Sequence, residues 1–298
     1  MGRGNSSIAY LDRIIHQSAN KPYQHYFHLR PPLKYGPSPV IDIGINFTDK
    51  AFSKDLSECI SAAHSADVTQ MIVTGTDIEG SQQAAQLAAA HPDSLFSTAG
   101  VHPHHAKDWR PEDYETLKKL AQSDNVIAIG EAGLDFNRDF SPRNQQEAVF
   151  QFQIHLAIEL SLPLFLHERD AHKRQRMILQ EYSNDLPNTV IHCFTGDKTA
   201  LFNYLDLGCY IGITGWVCDE RRGKELQTLV KQIPKDRLMI ETDGPYLLPR
   251  NIKPKPKSRR NEPKYLCHIA NTIAQLRGET TETFISQTTN NTKRFFSI

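Results

Sequence analysis

The sequence predicts a single (β/α)8 TIM barrel, an α/β fold of the amidohydrolase-like kind, and three observations support this prediction. From residue 40 onward, eight short apolar segments of strand character alternate with helical segments. Such alternation requires parallel strand pairing with right-handed crossovers, and eight units in about 255 residues match the size of a barrel. The chain also lacks the glycine-rich phosphate loop of an open doubly wound sheet, which is the competing arrangement.

The individual elements are predicted from apolar runs and from apolar residues that recur every three to four positions. The predicted strands are 40–46, 70–75, 95–101, 126–131, 162–167, 189–192, 210–213 and 237–241. The predicted helices are 52–66, 79–90, 112–122, 144–160, 171–182, 198–207, 223–231, 264–276 and 281–292. In the fourth strand, an apolar run carries Glu131 to its end, and the nearby glycines predict a sharp exit into a loop.

Residues 1–38 differ in character from the barrel domain predicted for residues 39–298. They contain four prolines and several polar residues but little sustained periodicity, so we expect a poorly ordered, loosely attached N-terminal extension. A partner-binding arm is the alternative. The basic-then-apolar pattern of a secretion signal is missing from this segment.

The composition excludes several classes of protein. Lys and Arg together number 34, as do Asp and Glu, so any nucleic-acid contact would have to use a local basic patch. The sequence has no run of 18 apolar residues, and we therefore expect no membrane span. The five scattered cysteines form no C-x-x-C motif, which favours reduced thiols in a cytoplasmic protein and argues against a thiolate zinc site.

Polar residues lie at the carboxyl ends of six of the predicted strands. They are Asn46, His102, Glu131, His167, His192 and Asp243. The carboxyl ends of all barrel strands surround one mouth, so these residues can meet although they are distant in the chain. Three imidazoles and two carboxylates without thiolates indicate a mixed nitrogen and oxygen site for divalent metals.

Four of these six residues are given a role by that chemistry. Glu131 is the best candidate to bridge two ions, and His167 and His192 are expected to be ligands. Asp243 is either a ligand or the base that orients the attacking water. A single histidine at the end of a strand is more often structural, and we take four others to be surface or core residues: His104, His105, His155 and His172. His104 is nevertheless close enough to His102 to reach the mouth. Asp135 is expected either to cap the following segment or to hydrogen-bond a ligand histidine.

Cationic and aromatic residues in the same loops are candidates for substrate binding. Arg138, Arg169, Trp216 and Tyr246 follow predicted strands, and a basic run at 253–260 includes Arg259 and Arg260. Phosphates favour such cations, and exposed aromatic rings can stack on unpaired bases. A solvated charged loop is the alternative interpretation of the basic run.

Several motifs resemble the TatD family of metal-dependent deoxyribonucleases, a branch of the amidohydrolase-like barrel enzymes. They are DIGIN (42–46), TGT (74–76), AGVHPH (99–104), GEAGLDF (130–136), HERD (167–170), HCFTG (192–196), GITG (212–215) and ETDGPY (241–246). The segments WVCDERRG (216–223) and SRRNEP (258–263) are similar to the bacterial branch of the family. The resemblance extends from about residue 40 to the end of the chain.

The resemblance implies a metal-dependent nuclease that hydrolyses phosphodiester bonds. It implies a 3′→5′ exonuclease on single-stranded DNA, with RNA as an alternative substrate, and a role in DNA repair. The family's metal ligands correspond to Glu131, His167 and His192, and Asp243 and His102 match further catalytic positions. A metal-dependent amide or ester hydrolase on the same barrel, such as an aminoacyl-tRNA deacylase, is the alternative, and a non-enzymatic binding module is disfavoured.

One departure from the family pattern concerns the number of metal ions. Many family members have a His-x-His pair after the first strand, whereas this chain has Gly44 and Asn46. Glycine offers no ligand and an amide is a weak one, so we expect one firmly bound ion and a second, weakly bound ion recruited with the substrate. The oxygen-rich remainder favours Mg²⁺ or Mn²⁺, and the imidazoles leave Zn²⁺ open. We expect the protein to be a monomer.

Overall fold

Eight parallel strands, hydrogen-bonded in chain order, form the central sheet of the computed structural model, which describes residues 40–298. The strands are β1 (Val40–Ile45), β2 (Val68–Val73), β3 (Leu95–Ala99), β4 (Val126–Asp135), β5 (Leu164–Arg169), β6 (Thr189–Ile191), β7 (Tyr210–Ile213) and β8 (Leu238–Ile240). All eight predicted strands are therefore confirmed. The prediction for residues 1–38 lies outside the described part of the chain.

Helices connect the strands on the outside of the sheet. They are α1 (Leu56–His64), α2 (Ile78–Ala90), α3 (Asp113–Ala121), α4 (Arg143–Leu160), α5 (His172–Glu181), α6 (Lys198–Asp206), α7 (Lys224–Leu229), α8 (Leu266–Arg277) and α9 (Thr281–Phe296). The predicted helix 52–66 begins later than expected, because a separate 3-10 turn at Lys50–Phe52 precedes α1. None of the described helices is long and apolar enough to span a membrane.

The sheet closes between its first and last strands. Ile45 at the end of β1 forms a parallel bridge with Gly244, just after β8. The Asn46 amide donates to the Gly244 carbonyl at 2.9 Å, and the Asp243 amide donates to the Gly44 carbonyl at the same distance. These bonds bring the two edges of the sheet together, so the barrel is confirmed over the open sheet.

Strand β4 corrects the prediction that the strand ends at Glu131. It continues to Asp135, and its register against β5 shifts between Ile129 and Ala132. Gly130 has φ +148°, and a side chain there would collide with the Phe165 carbonyl of β5. The glycine therefore allows close approach of a neighbouring strand at an irregular position, rather than an exit into a loop. Glu131 consequently lies inside a strand that is hydrogen-bonded on both sides.

The opposite end of the barrel is sealed by the C-terminal helix. Phe295 and Phe296 of α9 are buried against residues that point into the barrel, among them Ile43, Ile72, Phe165, Val190, Tyr210 and Met239. The Asn291 side chain also donates to the Leu238 carbonyl at 2.8 Å, which fixes α9 below the start of β8. The apolar filling thus occupies the lower part of the barrel, and the polar residues are left to the upper end.

Candidate active site

A cavity of about 620 Å³ opens at the carboxyl ends of the strands. It is lined by all six of the polar residues predicted at strand ends: Asn46, His102, Glu131, His167, His192 and Asp243. The closed barrel brings these residues together because every strand contributes its carboxyl end to the same mouth. The predicted convergence is therefore observed, and the structure adds its geometry.

Three imidazoles converge on one oxygen of Glu131. Its Oε1 lies 2.8 Å from Nε2 of His192, 3.1 Å from Nδ1 of His167 and 3.3 Å from Nε2 of His102. Burial alone would raise the pKa of Glu131, but His192 and His102 outweigh it and hold the pKa well below its usual range. Glu131 is therefore an anion at the centre of the cavity.

Carboxylates behind His192 and His167 hold the far nitrogen of each ring. His192 Nδ1 lies 3.2 Å from Oε2 of Glu241, and His167 Nε2 lies 3.3 Å from Oδ2 of Asp135. Each carboxylate accepts the N–H of that nitrogen, so the other nitrogen faces Glu131. Burial alone would lower the pKa of His192, but Glu131 and Glu241 raise it well above its usual range. Binding of a cation at Nε2 of His192, the nitrogen that faces Glu131, therefore requires release of a proton.

His102 is oriented differently from the other two histidines. Its Nδ1 accepts a hydrogen bond of 3.1 Å from the His104 amide, so the proton of the neutral ring is on Nε2, which faces Glu131. Burial lowers the pKa of His102 to about 4. His102 is thus a neutral hydrogen-bond donor inside the cavity.

Asp243 is held by Asn46, which directly follows the first strand of the barrel. Asn46 Nδ2 donates to Oδ1 of Asp243 at 3.0 Å and to the Gly244 carbonyl at 3.1 Å. Burial raises the pKa of Asp243 to about 7, against a lowering contribution from His192. A carboxylate with this pKa can exchange a proton near neutral pH.

The donor set of the cavity fits a divalent cation. Ligand atoms of His102, Glu131 and His167 all lie within 4.8 Å of one another, and His192 contacts the same oxygen of Glu131. Cys193 also lines the cavity, and burial raises the pKa of its thiol well above the usual range in the metal-free protein. The clustered ligand atoms themselves are imidazole nitrogen and carboxylate oxygen.

The predicted substrate-binding residues fall into two groups. Arg169, Trp216 and Tyr246 line the cavity, with Arg169 donating to Thr195 Oγ1 at 2.8 Å. Arg138 and Arg259 are exposed but do not line the cavity.

Arg260 requires a correction, because the sequence placed it on an exposed basic surface. Its guanidinium pairs with Asp55 at 2.6 Å and with Glu262 at 3.0 Å, and it lies over the Phe52 ring at 5.0 Å. Only 20% of the side chain is exposed. Arg260 therefore fastens the loop after β8 to the turn before α1, and a substrate could engage it only by breaking these ion pairs.

Sequence reasoning gave Glu241 no role in the site. Glu241 is fully buried, and its Oε1 accepts the Cys193 amide at 2.5 Å while Oε2 faces His192. Side chains at Gly44 or Gly212 would collide with this carboxylate, so the two glycines make its space. The available signal was its position at the end of the predicted strand 237–241, two residues before Asp243.

His104 and Asp135 form a second pair that the sequence described only in part. His104 Nε2 lies 2.7 Å from Oδ2 of Asp135, and His104 lines the cavity, which its closeness to His102 in the sequence allowed. Asp135 performs both of its predicted roles, since its Oδ1 also accepts the Asn137 and Arg138 amides. Hydrogen bonds from His104 and His167 outweigh burial and lower the pKa of Asp135.

The other three histidines set aside in the sequence differ in position. His155 is bonded to the hydroxyl of Tyr182 at 3.2 Å, away from the cavity, in agreement with a structural role. His105 lies at the cavity, where its Nε2 is 4.0 Å from Asp77. His172 does not line this cavity.

Comparison with known proteins places this site in a family. The family model described as TatD related DNase matches residues 41–297. A relative from Erwinia tasmaniensis named "3′-5′ ssDNA/RNA exonuclease TatD" is 51% identical, covering 87% of this chain and 100% of the relative. A protein of the same name from Klebsiella pneumoniae is also 51% identical, covering 87% of this chain and 98% of the relative.

Solved structures agree with the sequence comparison. The TatD homologue YJJV from Escherichia coli has a TM-score of 0.80 at 26% identity, covering 88% of this chain and 100% of its own. A TatD family hydrolase from Entamoeba histolytica also has a TM-score of 0.80 at 26% identity, covering 87% of this chain and 98% of its own. With its barrel and its histidine and carboxylate cavity, the chain belongs to the TatD-related DNase family.

Proposed function

We propose that this protein is a metal-dependent 3′→5′ exonuclease that hydrolyses phosphodiester bonds in single-stranded DNA and RNA. The observation that carries the proposal is the convergence of three imidazoles on Glu131 in an open cavity at the barrel mouth. Relatives that bear the name of such an exonuclease, at about half identity over 87% of this chain, support it. A role in DNA repair, a monomeric state and a cytoplasmic location stay predictions.

Glu131, His167 and His192 would hold the divalent cation, with Asp243 as a further ligand or as the base. Mg²⁺ is the proposed ion, with Mn²⁺ and Zn²⁺ as alternatives. When bound, such an ion polarises a phosphoryl oxygen and lowers the pKa of a bound water. The carboxylates of Glu241 and Asp135 keep His192 and His167 oriented for this task.

Asp243 is suited to act as the general base. Asn46 fixes its Oδ1, and as a carboxylate that lines the cavity it can take a proton from water. As the water oxygen bonds to phosphorus, the bond between phosphorus and the oxygen of the leaving group breaks, and that oxygen takes up a proton from solvent to become a hydroxyl. His102, with its proton on the nitrogen that faces the cavity, is placed to donate a hydrogen bond to the phosphoryl oxygen during this step.

The walls of the cavity fit an unpaired nucleic-acid strand. Arg169 supplies a cation, and Trp216 and Tyr246 supply aromatic rings on which bases can stack. The Tyr246 side chain is 55% exposed, so its ring is accessible. We propose that these three residues contact the strand directly, while Arg138 and Arg259 contact phosphates further from the cavity.

Digestion of oligonucleotides tests this function. Single strands labelled at the 3′ or the 5′ end are incubated with Mg²⁺ and wild type, with Glu131→Ala, and with Glu159→Gln as the control. Glu159 pairs with Lys118 outside the cavity, so its loss should leave activity intact. We expect early loss of the 3′ label and stepwise shortening of 5′-labelled strands, abolished only by Glu131→Ala. Equal activity in wild type and Glu131→Ala, or hydrolysis of an aminoacyl ester instead of the strand, would contradict the proposal.

A further inference from the structure

Phe140 is a large apolar side chain that remains exposed beside the active site. The residue is 56% exposed, and its ring centroid lies 4.7 Å from that of His104, which lines the cavity. An exposed phenylalanine by itself is common on protein surfaces. Two further features, the rigidity of its loop and its place in a row of rings, distinguish this one.

The loop that carries Phe140 is fixed at both ends. At its start, Asp135 Oδ1 accepts the amides of Asn137 at 3.0 Å and Arg138 at 2.8 Å. At its end, the Ser141 hydroxyl accepts the Lys107 amide at 3.0 Å and donates to the His104 carbonyl at 2.9 Å. The backbone on both sides of Phe140 is therefore fixed before any ligand arrives, which reduces the entropy cost of binding.

Phe140 is the outer member of a row of rings that leads to Glu131. The His104 and His102 centroids are 4.2 Å apart, and those of His102 and His167 are 4.4 Å apart. His102 and His167 both contact Glu131. A group stacked on Phe140 would thus lie at the rim of the cavity. The rings of Phe140 and His104 would separate it from His102, which contacts Glu131.

We propose that Phe140 forms a stacking subsite for a nucleobase of the substrate strand, next to the nucleotide whose phosphate enters the cavity. The ligand is a flat π system because the exposed ring offers area without hydrogen-bond donors or acceptors. The exposed Arg138, two residues earlier in the same loop, supplies a cation for the adjoining phosphate. Purines, with their larger rings, are held more tightly than pyrimidines. This inference rests on the proposed nuclease function.

The competing interpretation is that Phe140 only shields the His104–Asp135 pair from water. Phe140→Leu distinguishes shielding from stacking, because leucine covers His104 but cannot stack as an aromatic ring does. Phe140→Trp should keep the stacking, and Phe140→Ala removes both. Phe202→Ala is the matched control, since Phe202 is an exposed phenylalanine on α6 whose ring centroid lies 5.8 Å from Nζ of Lys198, a residue that does not line the cavity.

Hydrolysis and binding are measured with strands that carry either a normal base or an abasic site near the 3′ end. For intact strands we expect kcat/KM to fall by about 5- to 150-fold in Phe140→Ala and Phe140→Leu, the range that corresponds to one stacked base. Affinity measured by fluorescence anisotropy in EDTA should fall in parallel. Phe140→Trp and Phe202→Ala should resemble wild type, and for a strand lacking the stacked base all the proteins should become similar.

The outcomes separate this inference from the proposed function. Wild-type protein that fails to degrade any strand overturns the function itself. If wild-type protein degrades strands and Phe140→Leu is equally active on intact substrates, the stacking subsite is overturned. Shielding of the His104–Asp135 pair then remains as the role of Phe140. A loss in Phe140→Leu that is just as large on the strand lacking the stacked base also overturns it.

Discussion

Replacement of Glu241 by glutamine should weaken metal binding although Glu241 does not face the cation. In the wild type its two oxygens serve two donors, the Cys193 amide at 2.5 Å and His192 Nδ1 at 3.2 Å. Glutamine keeps one acceptor oxygen and places an NH₂ group where the second was. One donor therefore loses its acceptor in a fully buried position, and His192 loses the partner that orients it.

The expected loss is about 10- to 100-fold in metal affinity, the range for removal of the partner behind a ligand histidine. That range equals about 1.4–2.8 kcal/mol. A charge-assisted hydrogen bond is worth about 1.5–3 kcal/mol, so the two estimates agree. Space does not account for the effect, because glutamine and glutamate have nearly the same volume.

Calorimetric titration of the metal-free protein with Mn²⁺ and with Mg²⁺ measures this loss, with Glu159→Gln as the control. Because His192 must release a proton to bind the ion, titrations between pH 6 and pH 9 separate proton competition from orientation. Loss of a facing carboxylate should also lower the pKa of His192, which NMR titration of the metal-free protein can follow. A Glu241→Gln variant that binds both ions as tightly as wild type across this pH range would refute the reasoning.

Two predictions concern stability. Phe295→Ala should lower the free energy of unfolding by about 3–5 kcal/mol, because Phe295 is 1% exposed and packs on Tyr210 and Phe296 at the closed end of the barrel. Urea denaturation measures this free energy, and a decrease of less than about 1 kcal/mol would contradict the packing. Asp219→Asn should cost about 1 kcal/mol at neutral pH, because the Arg221 and Arg222 amides and the Arg222 guanidinium outweigh burial and lower the pKa of Asp219 to about 2. A pKa lowered in the folded state stabilises above the unfolded pKa of 3.8, so the gap in urea midpoint between wild type and variant should be constant above about pH 5 and shrink as the pH falls from 4 towards 2. A gap that widens on acidification would contradict this sign.

The sequence by itself determined the barrel and the six polar residues that meet at its mouth. Strand and helix periodicity are local properties, so all eight strands could be located to within a few residues from the chain alone. Placing His102, Glu131 and Asp243 at one mouth needed only the rule that parallel strands of a barrel share their carboxyl ends. The end of β4 was misjudged, because Gly130 serves contact with β5, and that contact is invisible in a local pattern.

The tertiary structure alone decided which partner each side chain meets. Asn46 and Asp243 are 197 residues apart yet lie 3.0 Å from one another, and Arg260 reaches Asp55 across 205 residues. Hydrogen-bond partners over such separations depend on how the barrel closes, so residue type and spacing could not show that Glu241 orients His192 or that Arg260 is used in ion pairs. The exposure of Phe140 beside His104 is a property of the folded surface for the same reason.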